Sequence, residues 1–269
     1  MKYSLGWHRD LPDVRDYTRD TTEVKEILAH SDRLKESTTT VGIDLREWCS
    51  PIEDQGHIGS CTAHAGVGLL EYYQRRVYGK HLDLSRLFLY KTTRRLMGWM
   101  GDTGAYLRTT MQAMVMFGVP LEKHYAYIPA AFDNEPSAFD YAMAQNYKSL
   151  KYFRLDSGGI KGDMLLEHIK WMLAAGLPSM FGFTVYSSLS DKAWIPYPEE
   201  GDTVEGGHAV VAVGYDDDEN ALLIRNSWGT SWGDNGYGYL PYDYVRDGLA
   251  TDFWTMAEAG FVDSELFAE

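Results

Sequence analysis

The sequence predicts an α+β fold in which a helical lobe is followed by a lobe of antiparallel strands. Residues 41–150 carry apolar side chains mainly at spacings of three and four, which is typical of helices that bury one face. Residues 151–269 instead contain short apolar runs separated by turn residues, which is typical of antiparallel strands. The chain has 269 residues, which is long enough for two lobes around a sizeable core.

The N-terminal 40 residues differ in character from both lobes. Residues 6–17 mix aromatic, proline and charged side chains without periodicity, which predicts an extended and ordered segment. Asp20 and Glu23 have the spacing of a helix-capping pair, and the apolar residues after them predict a short amphipathic helix. Residues 37–40 follow as a linker. We therefore treat residues 1–40 as an N-terminal extension.

A cysteine at the start of a predicted helix is the first candidate for chemistry. Gly56 and Gly59 form a turn before Cys61. Apolar residues then recur at helical spacing, namely Ala63, Val67, Leu70 and Tyr73. In the first turn of a helix, unpaired N–H groups and the helix dipole favour the thiolate, which is the nucleophilic form of cysteine. Cys61 is therefore either an activated nucleophile or a small buried residue at a helix start.

The remaining elements are separated by turn signals. In the helical lobe, the pattern predicts helices over residues 82–98 and 106–117 and a loop over residues 125–136. The second lobe begins near residues 147–154 and contains one helix, at residues 163–175. The predicted strands of this lobe lie at residues 180–186, 208–215, 222–226, 237–240 and 252–259.

The composition limits the partners of the protein. The chain is 45% hydrophobic and 14% aromatic, as expected for a folded globular protein. Its net charge is −14, which disfavours nucleic acids and anionic membranes as partners. No apolar run approaches the roughly 20 residues that span a bilayer. Residues 1–4 lead into charged sequence rather than an apolar signal-peptide core, so we expect no export signal.

Three sequence blocks together resemble the papain-like cysteine peptidases. They are QGHIGSC at residues 55–61, GGHAVVAVGY at residues 206–215 and IRNSWGTSWGDNGYGY at residues 224–239. The blocks occur in the family's order, and His208 follows Cys61 by 147 residues, within the roughly 130–150 typical of papain and cathepsins. The resemblance covers about residues 42–259. It implies a papain-like two-lobe fold, with a helical lobe, an antiparallel β-barrel-like lobe and the active cleft between them.

The resemblance implies a role for four residues of these blocks. Cys61 is the implied nucleophile, and His208 is the implied base that takes the thiol proton and later protonates the leaving amine. Asn226 would orient the ring of His208. The side chain of Gln55 would share the oxyanion hole with the backbone N–H of Cys61. The implied activity is thiol-dependent hydrolysis of peptide bonds through an acyl-enzyme, on peptide or protein substrates, without cofactor or metal.

Other functions remain compatible with the same residues. An amide hydrolase or acyl transferase acting on a small substrate could use the same site, and a catalytically silent binding protein could keep the fold. His64 is a rival base, because it follows Cys61 by three residues on one helix. His57 could join these residues and His208 in a zinc site, although no CxxC or HExxH pair supports one.

The resemblance also suggests contacts with the substrate. The turn at Gly104 would hydrogen-bond the substrate backbone, and Gly59 suits a close approach of backbone to a neighbour. Gly207 would form an open wall beside the pocket for the residue two before the scissile bond, where Tyr106 would favour bulky apolar side chains. Trp228 would shield the base from water.

The cysteines and the N-terminal extension carry two further expectations. Cys49 and Cys61 are the only cysteines, and we expect free thiols because a bridge would consume the nucleophile. Secreted relatives usually have a cysteine at the position of Ile58, so we expect a cytoplasmic protein that is held together by packing alone. Residues 1–40 would act either as a propeptide-like lid over the cleft or as a structural strap. The sequence leaves the oligomeric state open.

Overall fold

The computed structural model describes residues 3–29 and 40–261. The linker predicted at residues 37–40 lies almost entirely outside the described residues. The described helices are α1 Thr22–Ala29, α2 Cys61–Tyr78, α3 Arg86–Leu96, α4 Leu107–Met116, α5 Ala138–Ala144, α6 Asp163–Ala174 and α7 Asp243–Arg246. The described strands are β1 Gly42–Asp44, β2 Tyr147–Arg154, β3 Ser179–Tyr186, β4 Val204–Asp216, β5 Ala221–Arg225, β6 Tyr237–Pro241 and β7 Ala250–Phe261. None of the helices in these ranges combines the length and the apolar character that crossing a bilayer requires.

The strands form one antiparallel sheet. Its order is β2-β7-β3-β4-β5-β6, and β1 pairs with the end of β4. The long strand β4 is central, because it pairs with β3 along its first part and with β5 along its last part. The predicted fold, with a helical lobe and an antiparallel lobe, is confirmed. The sheet stays open, so the second lobe is not a closed barrel.

Helix α2 is the central helix of the first lobe. It ends at Gly79, whose left-handed φ of 66° places its N–H on the carbonyl oxygen of Arg75. Every residue from Cys61 to Gln74 is buried, as expected for a helix enclosed on all sides. Strand β4 packs on one side of α2, and α3 and α4 pack on the other. The first turn of α2 therefore lies at the junction of the two lobes.

Two buried arginines hold the loop that precedes α2. Arg225, the last residue of β5, donates from Nη1 to the carbonyl oxygen of Ser50 at 2.5 Å. Arg86, the first residue of α3, lies 3.1 Å from the carboxylate of Glu53. Buried charges are stable only when they are paired and hydrogen-bonded. Because Gln55 follows directly on this loop, these contacts fix its position against both lobes.

The predicted elements match those of the structure, with shifts at their ends. The helix predicted over residues 82–98 begins at Arg86, because the Ser85 side chain caps it. Strand β4 begins at Val204 rather than at residue 208, because the glycines before residue 208 pair with β3. The prediction missed β1, α5 and α7, which have only three, seven and four residues, so the described part of the second lobe has two helices rather than the one predicted. Strand β1 joins the sheet although the sequence placed it in the helical lobe.

Candidate active site

Cys61 is the first residue of α2, and its side chain is completely buried. Burial raises the pKa of the Cys61 thiol to about 11, and the backbone N–H groups of Ala209 and Gly6 oppose this rise. The sequence predicted a thiol that loses its proton easily. In the structure, the loss of solvent outweighs the helix start, so the thiol stays neutral at pH 7. Ala209 belongs to β4, so the thiol lies against the other lobe.

His208 lies on β4 and is held by an asparagine. Its Nε2 lies 2.7 Å from Asn226 Oδ1, an oxygen that also accepts the backbone N–H of Ser227 at 2.8 Å. Because an amide oxygen can only accept, Nε2 of His208 carries a hydrogen. The neutral ring then has its free lone pair on Nδ1, which has no hydrogen-bond partner among the described residues. This tautomer can accept a proton at Nδ1.

A tryptophan covers the same histidine. The ring of Trp228 stacks on that of His208, with centroids 4.2 Å apart and planes 23° apart. Both side chains are buried. Burial lowers the pKa of His208 to about 4, and the hydrogen bond to Asn226 opposes this change. Trp228 therefore covers one face of the His208 ring.

Gln55 is oriented from the other lobe. Its Oε1 accepts the hydroxyl of Ser227 at 2.7 Å, and its backbone N–H donates to the carbonyl oxygen of Ser227 at 2.9 Å. The amide orientation is therefore fixed, with Nε2 as the donor end. Nε2 donates to the backbone carbonyl oxygens of Ile58, at 3.0 Å, and of Ser4, at 3.1 Å. The four predicted catalytic residues thus gather where the two lobes meet.

Comparisons with known proteins identify the family. The model of the papain family of cysteine proteases matches residues 40–252. The chain belongs to the papain family. An uncharacterized peptidase C1-like protein of Acanthamoeba polyphaga mimivirus is 37% identical over 95% of this chain and 87% of its own length. Mouse cathepsin K is 28% identical, over 86% of this chain and 66% of its own length. The crystal structure of xylellain, a cysteine protease from Xylella fastidiosa, is 33% identical and covers 97% of both chains with a TM-score of 0.79.

This papain-family chain is therefore a cysteine peptidase that acts on peptide or protein substrates. Its N-terminal arm, which we define as residues 3–18, passes through the cleft between the lobes. The N–H groups of Gly6 and Trp7 both donate to the carbonyl oxygen of Gly207, at 3.1 and 3.0 Å. On the opposite wall, the Ala105 N–H donates to the Gly6 carbonyl oxygen at 2.8 Å, and Ala105 accepts the His8 N–H at 3.1 Å. The arm is thus bound through its backbone on both sides of the cleft.

The predicted substrate-binding glycines all lie against the arm. A Cβ built on Gly207 would come within 2.5 Å of the Trp7 carbonyl oxygen, and one on Gly59 within 3.0 Å of the Leu5 carbonyl oxygen. At Gly104 it would overlap the Gly6 carbonyl group. These glycines therefore make room for a backbone in the cleft.

Two of the predicted contacts differ in detail from the structure. Gly104 donates its N–H to the Tyr90 hydroxyl at 3.0 Å, so the neighbouring Ala105 forms the backbone pair with the arm instead. Tyr106 contacts the ring of His8 at a centroid distance of 5.9 Å. Tyr106 therefore lies at His8, whereas the pocket in which it was predicted holds the preceding residue of the arm, Trp7.

A cluster of charges holds the part of the arm that lies beyond the cleft. Arg108 on α4 donates to the Asp16 carboxylate at 2.7 and 2.8 Å and to the Leu11 carbonyl oxygen at 2.7 Å, and it also pairs with Asp10. Arg154 on β2 donates to the Asp10 carbonyl oxygen at 2.9 Å. The arm is therefore held by both lobes.

The structure gives no support to the alternative base His64 or to the alternative zinc site. Nδ1 of His64 contacts the Ser60 carbonyl oxygen at 3.1 Å, and burial lowers the pKa of His64 to about 3. His57 is exposed. In residues 3–29 and 40–261, no group of three or more His, Cys, Asp or Glu residues could hold a metal ion. Cys49 and Cys61 are both free, as predicted.

Several residues of the site were missed at the sequence level. Tyr127 donates to the Gln55 carbonyl oxygen at 2.9 Å and contacts the Ser60 hydroxyl at 2.6 Å, so it ties both ends of the loop before Cys61. Ser227 directly follows Asn226 in the third block, which was a usable signal. Asp252 accepts the indole N–H of Trp7 at 3.1 Å, and its place as a lone acidic residue in an apolar strand was another usable signal.

Proposed function

We propose that Cys61, His208, Asn226 and Gln55 hydrolyse peptide bonds through an acyl-enzyme. Nδ1 of His208 takes the thiol proton as the sulfur of Cys61 attacks the peptide carbonyl carbon. Gln55 Nε2 and the Cys61 backbone N–H stabilise the oxyanion. The tetrahedral intermediate expels the amine, which receives the proton from His208. Water, deprotonated by the same histidine, then attacks the thioester and releases the acid.

One observation carries this proposal: an extended peptide backbone already occupies the cleft. The carbonyl oxygen of Ser4 accepts from Gln55 Nε2, and the backbone around Gly6 pairs with Ala105 and Gly207 on opposite walls. Walls that bind the backbone of several consecutive residues suit a peptide chain. A small amide would leave most of these groups unpaired, so the cleft favours peptide hydrolysis over the small-substrate alternative.

We also propose that the N-terminal arm is a lid rather than only a strap. The Ser4 carbonyl group lies at Gln55, whereas the backbone at the thiol of Cys61 is the N–H of Gly6. Hydrolysis requires one carbonyl group to meet both the nucleophile and the oxyanion donor. The arm presents different peptide units to the two groups, so it fills the cleft without being a substrate.

Turnover of a fluorogenic peptide tests the proposed chemistry. The full-length protein is expected to hydrolyse peptides, and Cys61→Ser is expected to lose at least about 10³-fold in kcat while keeping its fold. Cys49→Ser is the matched control, because Cys49 is the other buried free cysteine. A folded Cys61→Ser variant with normal turnover would show that another residue is the nucleophile. Turnover of small amides without turnover of peptides would favour the alternative function.

A further inference from the structure

A small polar cavity lies next to the proposed catalytic residues, where the two lobes meet. The residues that line it include His64, Asn226, Glu53, Arg86, Ala209 and Arg225. Its volume is about 10 Å³, which is comparable to the roughly 10–15 Å³ that one water molecule needs. The cavity belongs to both lobes, because His64 lies on α2 whereas Asn226 directly follows β5.

The side-chain amide of Asn226 is satisfied at one end only. Its Oδ1 lies 2.7 Å from Nε2 of His208 and accepts the backbone N–H of Ser227 at 2.8 Å. These two contacts fix which end of the amide is the oxygen, so the other end is the NH₂ group. That nitrogen, Nδ2, is buried and has no hydrogen-bond partner in the described part of the chain. A buried donor of this kind destabilises the orientation that leaves it unpaired.

The ring of His64 carries the complementary group, a buried acceptor. Tyr127 donates its hydroxyl to the Gln55 carbonyl oxygen at 2.9 Å, so the Ser60 hydroxyl donates to the Tyr127 oxygen at 2.6 Å. Nδ1 of His64 therefore donates to the Ser60 carbonyl oxygen, which lies 3.1 Å away. In the neutral ring Nε2 is then an acceptor, and it is buried without a partner among residues 3–29 and 40–261.

We propose that one water molecule binds in this cavity and that His64 is a positioning residue, which holds the Asn226 amide through this water. The water donates to Nε2 of His64 and accepts from Nδ2 of Asn226, so both buried groups are paired. The inference rests on the proposed function, in which Asn226 orients the base His208. His64 itself neither touches the substrate nor takes the thiol proton.

The water stabilises the amide orientation that His208 needs. Without it, rotation of the Asn226 side chain would relieve the unpaired Nδ2 but would break the contact between Oδ1 and His208. The hydrogen bond to Asn226 raises the pKa of His208, so its loss lowers the fraction of imidazolium that protonates the leaving amine. We therefore expect the change to reduce kcat and to leave KM nearly unchanged, because the backbone-binding walls of the cleft stay in place.

Two substitutions of His64 separate its acceptor from its bulk. His64→Phe keeps a ring of similar size without an acceptor, whereas His64→Gln places an amide oxygen near the position of Nε2. With the full-length protein and a fluorogenic peptide, His64→Phe is expected to lower kcat by about tenfold. It should also move the alkaline limb of the kcat/KM profile to lower pH, by up to about one unit. His64→Gln should keep kcat within about threefold of the wild type.

His81→Phe is the matched control for these substitutions. His81 is an exposed histidine beyond the C-terminal end of α2, so the same exchange there should leave the kinetics unchanged. Thermal unfolding establishes that each variant is folded.

A double-mutant cycle tests whether His64 acts through Asn226. In the Asn226→Ala background the amide is absent, so His64→Phe should lower kcat by less than about twofold. A loss caused by disturbed packing of α2 or by a shifted arm would instead appear equally in both backgrounds.

A crystal structure of the wild-type protein tests the water directly. We expect one ordered water within hydrogen-bond distance of both His64 Nε2 and Asn226 Nδ2, and we expect the His64→Phe structure to lack it.

The outcomes separate this inference from the proposed function. A dry cavity, an equal loss in both backgrounds, or an unmoved alkaline limb in folded His64→Phe overturns the role of His64, while the peptidase stands. If His64→Phe does not fold, the wild-type crystal structure decides alone. Failure to cleave any peptide, together with no labelling of Cys61 by an epoxysuccinyl reagent, overturns the proposed function and this inference with it.

Discussion

At the scale of single residues, burial sets the protonation state of the proposed catalytic pair, Cys61 and His208. With the arm in place, the pKa of Cys61 is about 11 and that of His208 is about 4, in both cases because burial disfavours the charged form. Both side chains are therefore neutral at pH 7. Removing the arm is expected to return water to the site and so to remove the desolvation that disfavours both charged forms.

The covering of the cleft is therefore expected to depend on pH. In the uncovered form, hydrated His208 should have an ordinary pKa near ~6.5, so between pH 6.5 and 4 its ring binds more protons than in the covered form. Through His208, lowering the pH in this window favours uncovering by on the order of tenfold at pH 5. Protonation of Asp252, which accepts the indole N–H of Trp7 and whose pKa burial raises to about 7, acts in the opposite direction. Hydrogen exchange of the Gly6 and Trp7 amides, corrected for intrinsic rates, should show this loss of protection.

A variant without the titrating ring provides the control for this experiment. In His208→Phe, the loss of protection between pH 6.5 and 5 should disappear, while any pH dependence that comes from other groups should remain. Equal pH dependence in both proteins would show that His208 does not control the covering.

The proposed catalytic residues could be located from the sequence because each lies in a contiguous block. Gln55 and Cys61 share one block, and His208 and Asn226 each lie in another. Ala105 was missed because its function resides in backbone groups, which any residue type supplies. Tyr127 was missed because it reaches the site only through the folding of a distant loop.

At the scale of elements, the cleft is built to accept an added strand. Strand β4 starts at Val204. Its residues Gly206 and Gly207 pair with β3 on one side, while Gly207 binds the arm on the other. The sequence predicted an open wall at Gly207 and a strand that begins only at residue 208, since glycine weakens strands. The close approach to the arm is the physical reason for glycine at this place. It could not be inferred without knowing where the arm lies.

The charge cluster at Arg108 is the natural point at which to loosen the arm. Arg108→Gln removes the pairing with Asp10 and Asp16 outside the cleft and leaves the catalytic groups in place. Partly buried ion pairs of this kind contribute about 1–2 kcal/mol, so kcat/KM on a small peptide should rise by roughly tenfold. Fluorogenic turnover measures the effect.

Arg95→Gln is the matched control for this change. Arg95 is an exposed arginine of the same lobe, with its own carboxylate partner Glu135 at 2.5 Å, but it lies outside the arm contacts. The kcat/KM of the Arg95→Gln variant should equal that of the wild type. Unchanged or lower activity in a folded Arg108→Gln variant would mean that the arm is a strap.

At the scale of the whole molecule, the two lobes are joined without disulfides. Arg225 donates to the carbonyl oxygens of Ser50 and Pro51 and to the Ser50 hydroxyl, and it precedes Asn226. One buried guanidinium therefore connects the sheet to the loop that carries Gln55. The sequence predicted the two lobes from their different periodicities. It did not predict this junction, because the pairing joins residues about 175 positions apart.

Replacing this arginine should weaken the whole fold. Arg225→Met keeps much of the side-chain volume but leaves buried carbonyl oxygens without a donor. The free energy of unfolding, measured with denaturant, should fall by about 2–4 kcal/mol. Arg46→Met removes a partly exposed arginine that pairs with Asp44. This variant should change the free energy of unfolding by less than about 1 kcal/mol. Equal losses in both variants would contradict a junction role for Arg225.

The central claim is that Cys61 forms a covalent acyl-enzyme with a peptide bound in the cleft. Intact-mass spectrometry of the full-length protein, quenched during turnover of a peptide ester, tests it most directly. The expected result is a mass increase equal to the acyl fragment, located by peptide mapping on Cys61 and absent from Cys61→Ser. Turnover without an adduct on Cys61, or an adduct that maps to Cys49, would contradict the account.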